Sequence, residues 1–387
     1  ARIVSVGAIA YALTAPGQTA VVSVFVDPMV AELGISRETV AAAYLIGTLA
    51  GAAGMPLVGR ALDRFGARAV LLATSLFFGA VLMGLAAAGE VVGLTAGFIG
   101  IRFAGQGALT LTATTVVAYH VTHRLGAAMG VVSAAGTAGI SLTPLLLERV
   151  VTTYGPGVGW FVQGVAVWVV LIPLALLGLP RRPPRSRRPG RAVTDGAALG
   201  TILRAPAFWV LTAGVGVLSL VVTALTFHQI DVLGERGLTS AEAAATFLPQ
   251  TVAGLAATLL VGVVLDRIPA KPVMVGSMLM VMVALVSAGH LHPGWGAIGY
   301  GLAVGVAGNA FRTVEAAVLP RWFGTAQIGA ARGVVHAVAV AASALGPFLL
   351  AIGRASGDSY RPALLGLCVL PAVLTVVIVA VREPRQL

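Results

Sequence analysis

Residues 59–68 read Gly59-Arg60-Ala61-Leu62-Asp63-Arg64-Phe65-Gly66-Ala67-Arg68, a short polar interruption between two apolar runs. A second version stands 203 residues later, as Gly262-Val263-Val264-Leu265-Asp266-Arg267-Ile268-Pro269-Ala270-Lys271. Glycine, aspartate and arginine recur at identical spacing, with Lys271 in the place of Arg68. A loop written twice implies two halves built on one plan.

The same offset of 203 holds outward from that loop. Gly34-Ile35-Ser36 maps onto Gly237-Leu238-Thr239, each reading as a helix entry with Ser36 or Thr239 as its cap. Residues 119–147 map onto 322–350 without a gap, and 13 of those 29 positions are identical. A shared taste for small apolar residues gives scattered matches, not one constant offset across four helices. The chain is therefore read as a duplication of a six-helix unit.

The chain is 58% hydrophobic and only 10% charged, far below the quarter expected of a soluble domain. Apolar runs of about 20 residues follow one another along its length, each enough to cross a bilayer core. Punctuation by polar, Pro and Gly residues places twelve segments near 5–32, 37–60, 67–88, 91–119, 124–149, 157–179, 205–232, 240–264, 271–290, 293–319, 327–353 and 362–381. The expected fold is an all-α polytopic membrane protein with twelve transmembrane helices in two pseudo-symmetric six-helix bundles. Residues 1–179 form the first bundle, 180–204 a basic linker rich in Pro and Arg, and 205–387 the second. The first apolar run has a counterpart in the second half, so it is kept as a mature helix rather than a signal peptide. Spacings such as Gly47-xxx-Gly51 predict close helix packing.

A formal charge of +11 invites a nucleic-acid reading, but the positions of the charges oppose it. With the N-terminus inside, 18 of the 25 basic residues fall on cytoplasmic termini, loops or helix ends. Arg37, Arg149, Arg236, Arg354 and Arg361 fall outside, while Arg102 and Arg312 lie within the membrane. Both termini are thus expected in the cytoplasm of a cell whose inner (plasma) membrane holds the chain. The single Cys368 permits no intramolecular disulfide. There is no phosphate-cradling glycine loop and no His/Cys metal spacing, so no enzyme, ATP-driven pump, cofactor or metal is expected.

The Gly-xxx-Asp-Arg-x-Gly-x-Arg loop between segments 2 and 3, its copy between segments 8 and 9, and the basic central linker resemble the major facilitator superfamily. That resemblance implies two bundles around a cavity open alternately to each side, working as a monomer, with segments 1, 4, 7 and 10 as cavity walls. It also implies that Gly59, Asp63, Arg64, Gly66 and Arg68, with Gly262, Asp266 and Arg267, form a conformational latch. From the residues themselves, Gly59 would let segment 2 approach a neighbour, Gly66 would supply a φ > 0 turn, and Asp63 could cap a neighbouring helix or pair with Arg64 or Arg68 in water. Val26-Asp27-Pro28, Phe227-His228 and Gly329-Ala330-Ala331-Arg332-Gly333 resemble the bacterial monocarboxylate and oxalate–formate branch.

The candidate site residues lie in the membrane. Arg102 stands about 17 Å into segment 4 at 1.5 Å per residue, where an unpaired guanidinium costs at least about 2.5–3.5 kcal/mol. It reads either as an anion or proton-coupling site or as a buried hub hydrogen-bonded to carbonyls, with Gln106 expected one turn on. Asn309 is the repeat partner of Gln106. Arg312 and Glu315 are spaced i, i+3 and can form a local ion pair. In the sharper reading Glu315 exchanges Arg312 for a proton and frees it for an anionic substrate. His228 and Asp231, also i, i+3, are candidates for proton entry or an ordinary interfacial pair, and His336 is a weaker one. Tyr11, Gln18 and Thr19 would line the cavity, with Pro16-Gly17 as a kink. The expected function is proton-linked or exchange transport of a small organic anion, with protons and lipid as partners. The alternative is a drug–proton antiporter: Gly130, Gly139 and Pro144 match part of that branch's helix-5 signature, while Thr143 and Leu147-Glu148 depart from it. A non-transporting sensor is not expected, because the longest loop, residues 180–204, is too short to form a signalling domain.

Overall fold

Without water to satisfy them, backbone groups in a bilayer must pair within their own helix, and every regular element among the described residues is helical. The computed structural model describes residues 2–121, 125–180, 199–323, 328–357, 359–381 and 383. Most of the basic linker, 181–198, lies outside them. The chain divides into two compact units, Ala1–Arg188 and Pro189–Leu387.

The first unit contains α1 (Arg2–Ala12), α2 (Thr19–Leu33), α3 (Arg37–Ala53), α4 (Met55–Ala86), α5 (Val91–Ile101), a π-helical stretch (Arg102–Leu109), α6 (Thr110–His120), α7 (Leu125–Tyr154) and α8 (Pro156–Gly178). The second contains α9 (Leu199–Arg204), α10 (Pro206–Phe227), α11 (Gln229–Gly234), α12 (Ser240–Ala245), α13 (Phe247–Leu265), α14 (Ala270–His290), α15 (Trp295–Phe323), α16 (Ile328–Ala355), α17 (Arg361–Leu367) and α18 (Val369–Ala380). Helices pair alike in both units. α1 lies on α7 as α10 lies on α16, α3 on α5 as α13 on α15, and α4 on α8 as α14 on α18. The paired entries behave alike too. Gly34 and Gly237 take φ of 60° and 86°, and the Ser36 and Thr239 hydroxyls accept from the backbone N–H of Thr39 and Glu242.

Small residues set the helix contacts, since lipid offers no hydrophobic drive for helices to associate. A Cβ on Gly47 would lie 2.8 Å from the Phe98 carbonyl carbon, and one on Gly51 2.9 Å from the Phe103 nitrogen. α3 therefore meets α5 and the π-helical stretch backbone to backbone. Gly59 does not belong to this contact. A Cβ there would meet nothing within 4 Å, and the same holds at Gly262. The expectation that Gly59 brings segment 2 against a neighbour is corrected: the approach is made earlier, before the bend at Gly54.

Ten helical runs among the described residues are long and apolar enough to cross a membrane. Two expected segments fall short of that length for a local reason. α3 stops after 17 residues at Gly54, and the fourth segment is cut by its π-helical stretch into pieces of 11, 8 and 11. The polar loop of residues 59–68 is itself mostly helical, continuing α4 except at Gly66, where φ 80° and ψ 162° break it. That region of backbone space is essentially open to glycine alone. Gly66→Ala is accordingly expected to cost about 1–3 kcal/mol, read as a lower melting temperature of purified protein. In the second copy Pro269, with φ −56° and ψ 155°, makes the turn by an extended residue before α14.

Candidate functional site

Arg102 opens the π-helical stretch and is 2% exposed. Its Nε donates to Thr48 Oγ1 at 3.0 Å and its Nη1 to the Gly17 carbonyl at 3.0 Å. The Tyr44 ring lies 4.7 Å from the guanidinium carbon, and the Tyr44 and Thr19 hydroxyls are 2.6 Å apart. Local sequence explains each partner. Tyr44 and Thr48 are four apart on α3 and share a face. Gly17 ends a 3₁₀ turn, Ala15–Gly17, that interrupts the first segment between α1 and α2, followed by extended Gln18. A Cβ on Gly17 would fall 2.5 Å from the Ile101 carbonyl oxygen, so only glycine lets this break press against Arg102. Carbonyl, hydroxyl and ring face together offset the cost of a cation at this depth. The geometry is that of a hub hydrogen-bonded to a carbonyl, with Nη2 making no hydrogen bond among the described residues.

Gln106 is not brought onto Arg102. Arg102 Nε and Nη1 are taken by Thr48 and Gly17, and no hydrogen bond joins Arg102 to Gln106 among the described residues. Gln18 Nε2 donates to Thr14 Oγ1 at 3.2 Å. The Tyr11 ring packs α1 onto α7, 2.6 Å from where a Cβ on Gly136 would be.

Among the described residues the second unit has no equivalent hub. The offset places Gly305 where Arg102 stands, and a Cβ there would lie 2.1 Å from the Gln250 carbonyl oxygen. Asn309 Nδ2 donates to the Gly305 carbonyl at 3.0 Å and faces Gly254 of α13. Charge is instead gathered further along α15. Arg312 is exposed, and its Nη2 donates to Ser219 Oγ of α10 at 3.1 Å. Glu315 is half-buried, with Oε1 3.8 Å from Arg332 Nε of α16. Arg332 Nη2 also donates to the Ala316 carbonyl at 2.9 Å, which holds α16 to α15. The i, i+3 spacing pointed to Arg312 as the partner of Glu315 and did not reveal Arg332, because that residue lies on the next helix. His336 stands on α16, one turn beyond Arg332.

His228 is 1% exposed, between α10 and α11. Its Nε2 lies 2.9 Å from the Pro347 carbonyl oxygen and its Nδ1 3.3 Å from the Tyr360 hydroxyl. A carbonyl can only accept, so Nε2 carries the proton and Nδ1 accepts from the tyrosine in the neutral ring. The histidine thus ties α10 to α16 and to the start of α17. Beside it, Glu235 accepts from Ser359 Oγ at 3.0 Å and from the Tyr360 N–H at 3.1 Å, with Arg354 Nε 2.8 Å from its other oxygen. Sequence reading missed this clasp, whose members are over a hundred residues apart. Asp231 is half-buried in α11.

Of the expected latch residues, the side chain of Asp63 lies outside the described residues. Arg64 is exposed over the Phe65 ring at 5.2 Å, and Arg68 is half-buried. Asp266 Oδ1 accepts from Arg321 Nη2 at 2.7 Å, and Arg321 Nη1 donates to the Leu265 carbonyl at 2.8 Å. This pins the end of α13 to the end of α15. Exposed pairs of this kind contribute under about 1 kcal/mol. Arg267 is exposed in the turn that follows.

With this geometry in hand, comparison with known proteins gives the class. The Major Facilitator Superfamily model matches residues 7–249, more than half of the sequence. The chain belongs to the Major Facilitator Superfamily, a family of transporters, and its apolar helices are those of a multi-pass membrane protein. It is similar to a triacylglyceride transporter of Mycolicibacterium hassiacum, 36% identical over 217 residues. That match takes in 52% of this chain but 38% of the relative, so the chain spans less than two fifths of that protein's length. Its fold is similar to that of the nucleoside transporter NupG, with a TM-score of 0.77 at 13% identity over 99% of this chain and 100% of the other. A bacterial homolog of the human lysosomal transporter Spinster, inward-facing and occupied, gives 0.74 at 17% identity over 98% and 95%. At such identities the likeness is one of fold.

Proposed function

We propose that the chain is a twelve-segment carrier of the inner (plasma) membrane, both termini cytoplasmic, that moves a small organic anion by alternating access. A carboxylate is the first candidate, driven by protons or by exchange. The observation that supports this reading is Arg312, an exposed guanidinium on an apolar membrane helix, steadied by Ser219 at 3.1 Å and followed one turn on by Glu315. A charge at this depth is a functional-site hypothesis by default. Arg102 serves as the internal hub of its own unit, and Asn309 as a packing group, so solute recognition falls to Arg312. Glu315, between Arg332 and Arg312, is the proton-coupling carboxylate: neutralising it leaves two positive groups for an anion. His228, held at both nitrogens, acts as a tie rather than a proton entry. Gly66, in the helix that carries Asp63, and the turn after Asp266 serve as the points that reset between conformations.

Reconstituted protein should accumulate a labelled short-chain carboxylate in vesicles under an imposed proton gradient. Arg312→Gln should lower the rate at least about tenfold, the loss of about 1.4 kcal/mol, with its melting temperature within a few degrees of wild type. Glu315→Gln should keep exchange and lose the response to the proton gradient. Carboxylate uptake absent in the wild type, or unchanged in Arg312→Gln, sinks the reading.

A second reading, export of an apolar compound, is favoured by the similarity to the triacylglyceride transporter. In that case lipophilic probes should leave the vesicles, and Arg312→Gln should matter little.

A further inference from the structure

The second unit carries a groove that plays no part in the site described above. It runs between the end of α13, the first half of α14 and the middle of α15, with a volume of about 300 Å³. That is the lower end of the range for clefts that hold small organic molecules. Val261, Val264, Ile268, Val273, Met280 and Val306 line it. The hydroxyl in the lining, Ser277, already donates to the Val273 carbonyl at 2.8 Å. A water-soluble solute finds no free polar side chain in such a lining, whereas hydrocarbon fits it. The floor includes Gly276, where a Cβ would meet nothing within 4 Å, so the open space reaches the backbone of α14.

A basic turn leads the chain into the groove. Arg267 immediately precedes the lining residue Ile268 and is exposed; its backbone N–H donates to the Val264 carbonyl, while its side chain has no hydrogen bond or ion pair among the described residues. Its basic neighbours are engaged: Arg321 with Asp266 at 2.7 Å, and the Lys271 ammonium with the Val379 carbonyl at 3.2 Å. An uncompensated cation next to the lining of an apolar groove on a membrane-spanning unit matches a phosphate above an acyl chain. Charge complementarity thus selects among the lipids: an anionic headgroup satisfies Arg267, and a zwitterionic one brings a competing positive group.

We propose that this groove is a binding site for one anionic glycerophospholipid, with an acyl chain along α14 over Gly276 and the phosphate at Arg267. The site is independent of the solute proposed for Arg312 and holds for either transport reading.

The test uses the purified full chain in detergent, titrated with phosphatidylglycerol or phosphatidylcholine. Binding is followed by native mass spectrometry and by the shift in melting temperature that a ligand of the folded state produces. Phosphatidylglycerol should be retained preferentially and raise the melting temperature more. Arg267→Gln should weaken phosphatidylglycerol binding about fivefold, the effect of about 1 kcal/mol per basic residue near a membrane surface, and leave phosphatidylcholine unchanged. Gly276→Leu puts a side chain into the groove from a Cβ that meets nothing within 4 Å, so it should abolish the stabilisation by phosphatidylglycerol while the lipid-free protein melts as the wild type does. Equal affinity of the wild type for both lipids would overturn the proposal. So would undiminished phosphatidylglycerol binding in Gly276→Leu, or in Arg267→Gln should the leucine variant fail to fold.

Discussion

Gly305→Ala should lower the stability of the protein by about 3 kcal/mol or more, although it adds a single methyl group. Helix propensity alone would favour the change by up to about 1 kcal/mol. Packing overrides it, because the new Cβ would lie 2.1 Å from the Gln250 carbonyl oxygen and 2.9 Å from the Gln250 Cα. Those atoms are main chain, so no rotamer change relieves the clash and α13 must move as a body away from α15. Gly308→Ala is the matched control. There the nearest atom, Val222 Cγ1, is at an ordinary 3.6 Å, and the variant should melt within a degree or two of wild type. The check is thermal unfolding of both variants in one detergent. Equal melting temperatures would mean that the α13–α15 contact is looser than these distances say.

The second large effect is expected at Arg102. Arg102→Met removes a cation whose burial costs at least about 2.5–3.5 kcal/mol, which taken alone would stabilise. Against that stand two hydrogen bonds from a charged donor, about 1.5–3 kcal/mol each, and a desolvated contact with the Tyr44 ring of about 2 kcal/mol. The Gly17 carbonyl and the Thr48 hydroxyl also lose the donor they face. The losses win, and a net cost of about 2–4 kcal/mol is expected. Arg102→Lys should recover little of it, because one ammonium cannot reproduce the planar fork that reaches Thr48 and Gly17 while stacking on Tyr44. Melting temperature and transport should be measured together on both variants. A methionine variant that melts like wild type yet no longer transports would move Arg102 from scaffold to solute recognition.

What could be read from the sequence was whatever depends on a residue and its near neighbours. The φ > 0 turn at Gly66, the caps at Ser36 and Thr239, and the small-residue contact through Gly47 and Gly51 are all of this kind. So is the division into repeated helical units, because a constant offset survives divergence of individual side chains. Partners brought by tertiary packing were not legible. Glu315 meets Arg332 across two helices, His228 reaches Pro347 and Tyr360, and Arg102 takes its ligands from α3 and from the break before α2. Gly59 was misjudged for the complementary reason: a glycine marks permission for a close approach, and only the fold says whether a neighbour uses it.

The π-helical stretch at Arg102–Leu109 has a further consequence for the duplication. α15 crosses the corresponding stretch, 305–312, as unbroken α-helix, and the two sequences align there without insertion or deletion. A wider turn consumes about one more residue than an α-helical one, and one residue is worth about 100° of rotation. From Thr110 onward the fourth segment is therefore out of phase with its twin, although the letters stay in step. Residues related by the offset no longer share a compass bearing about their helix axes. Swapping the stretch after Leu109 for the one after Arg312, position by position, would turn each inward side chain toward a different neighbour. The symmetry persists in the spacing of the text and, beyond Leu109, has been lost in angle.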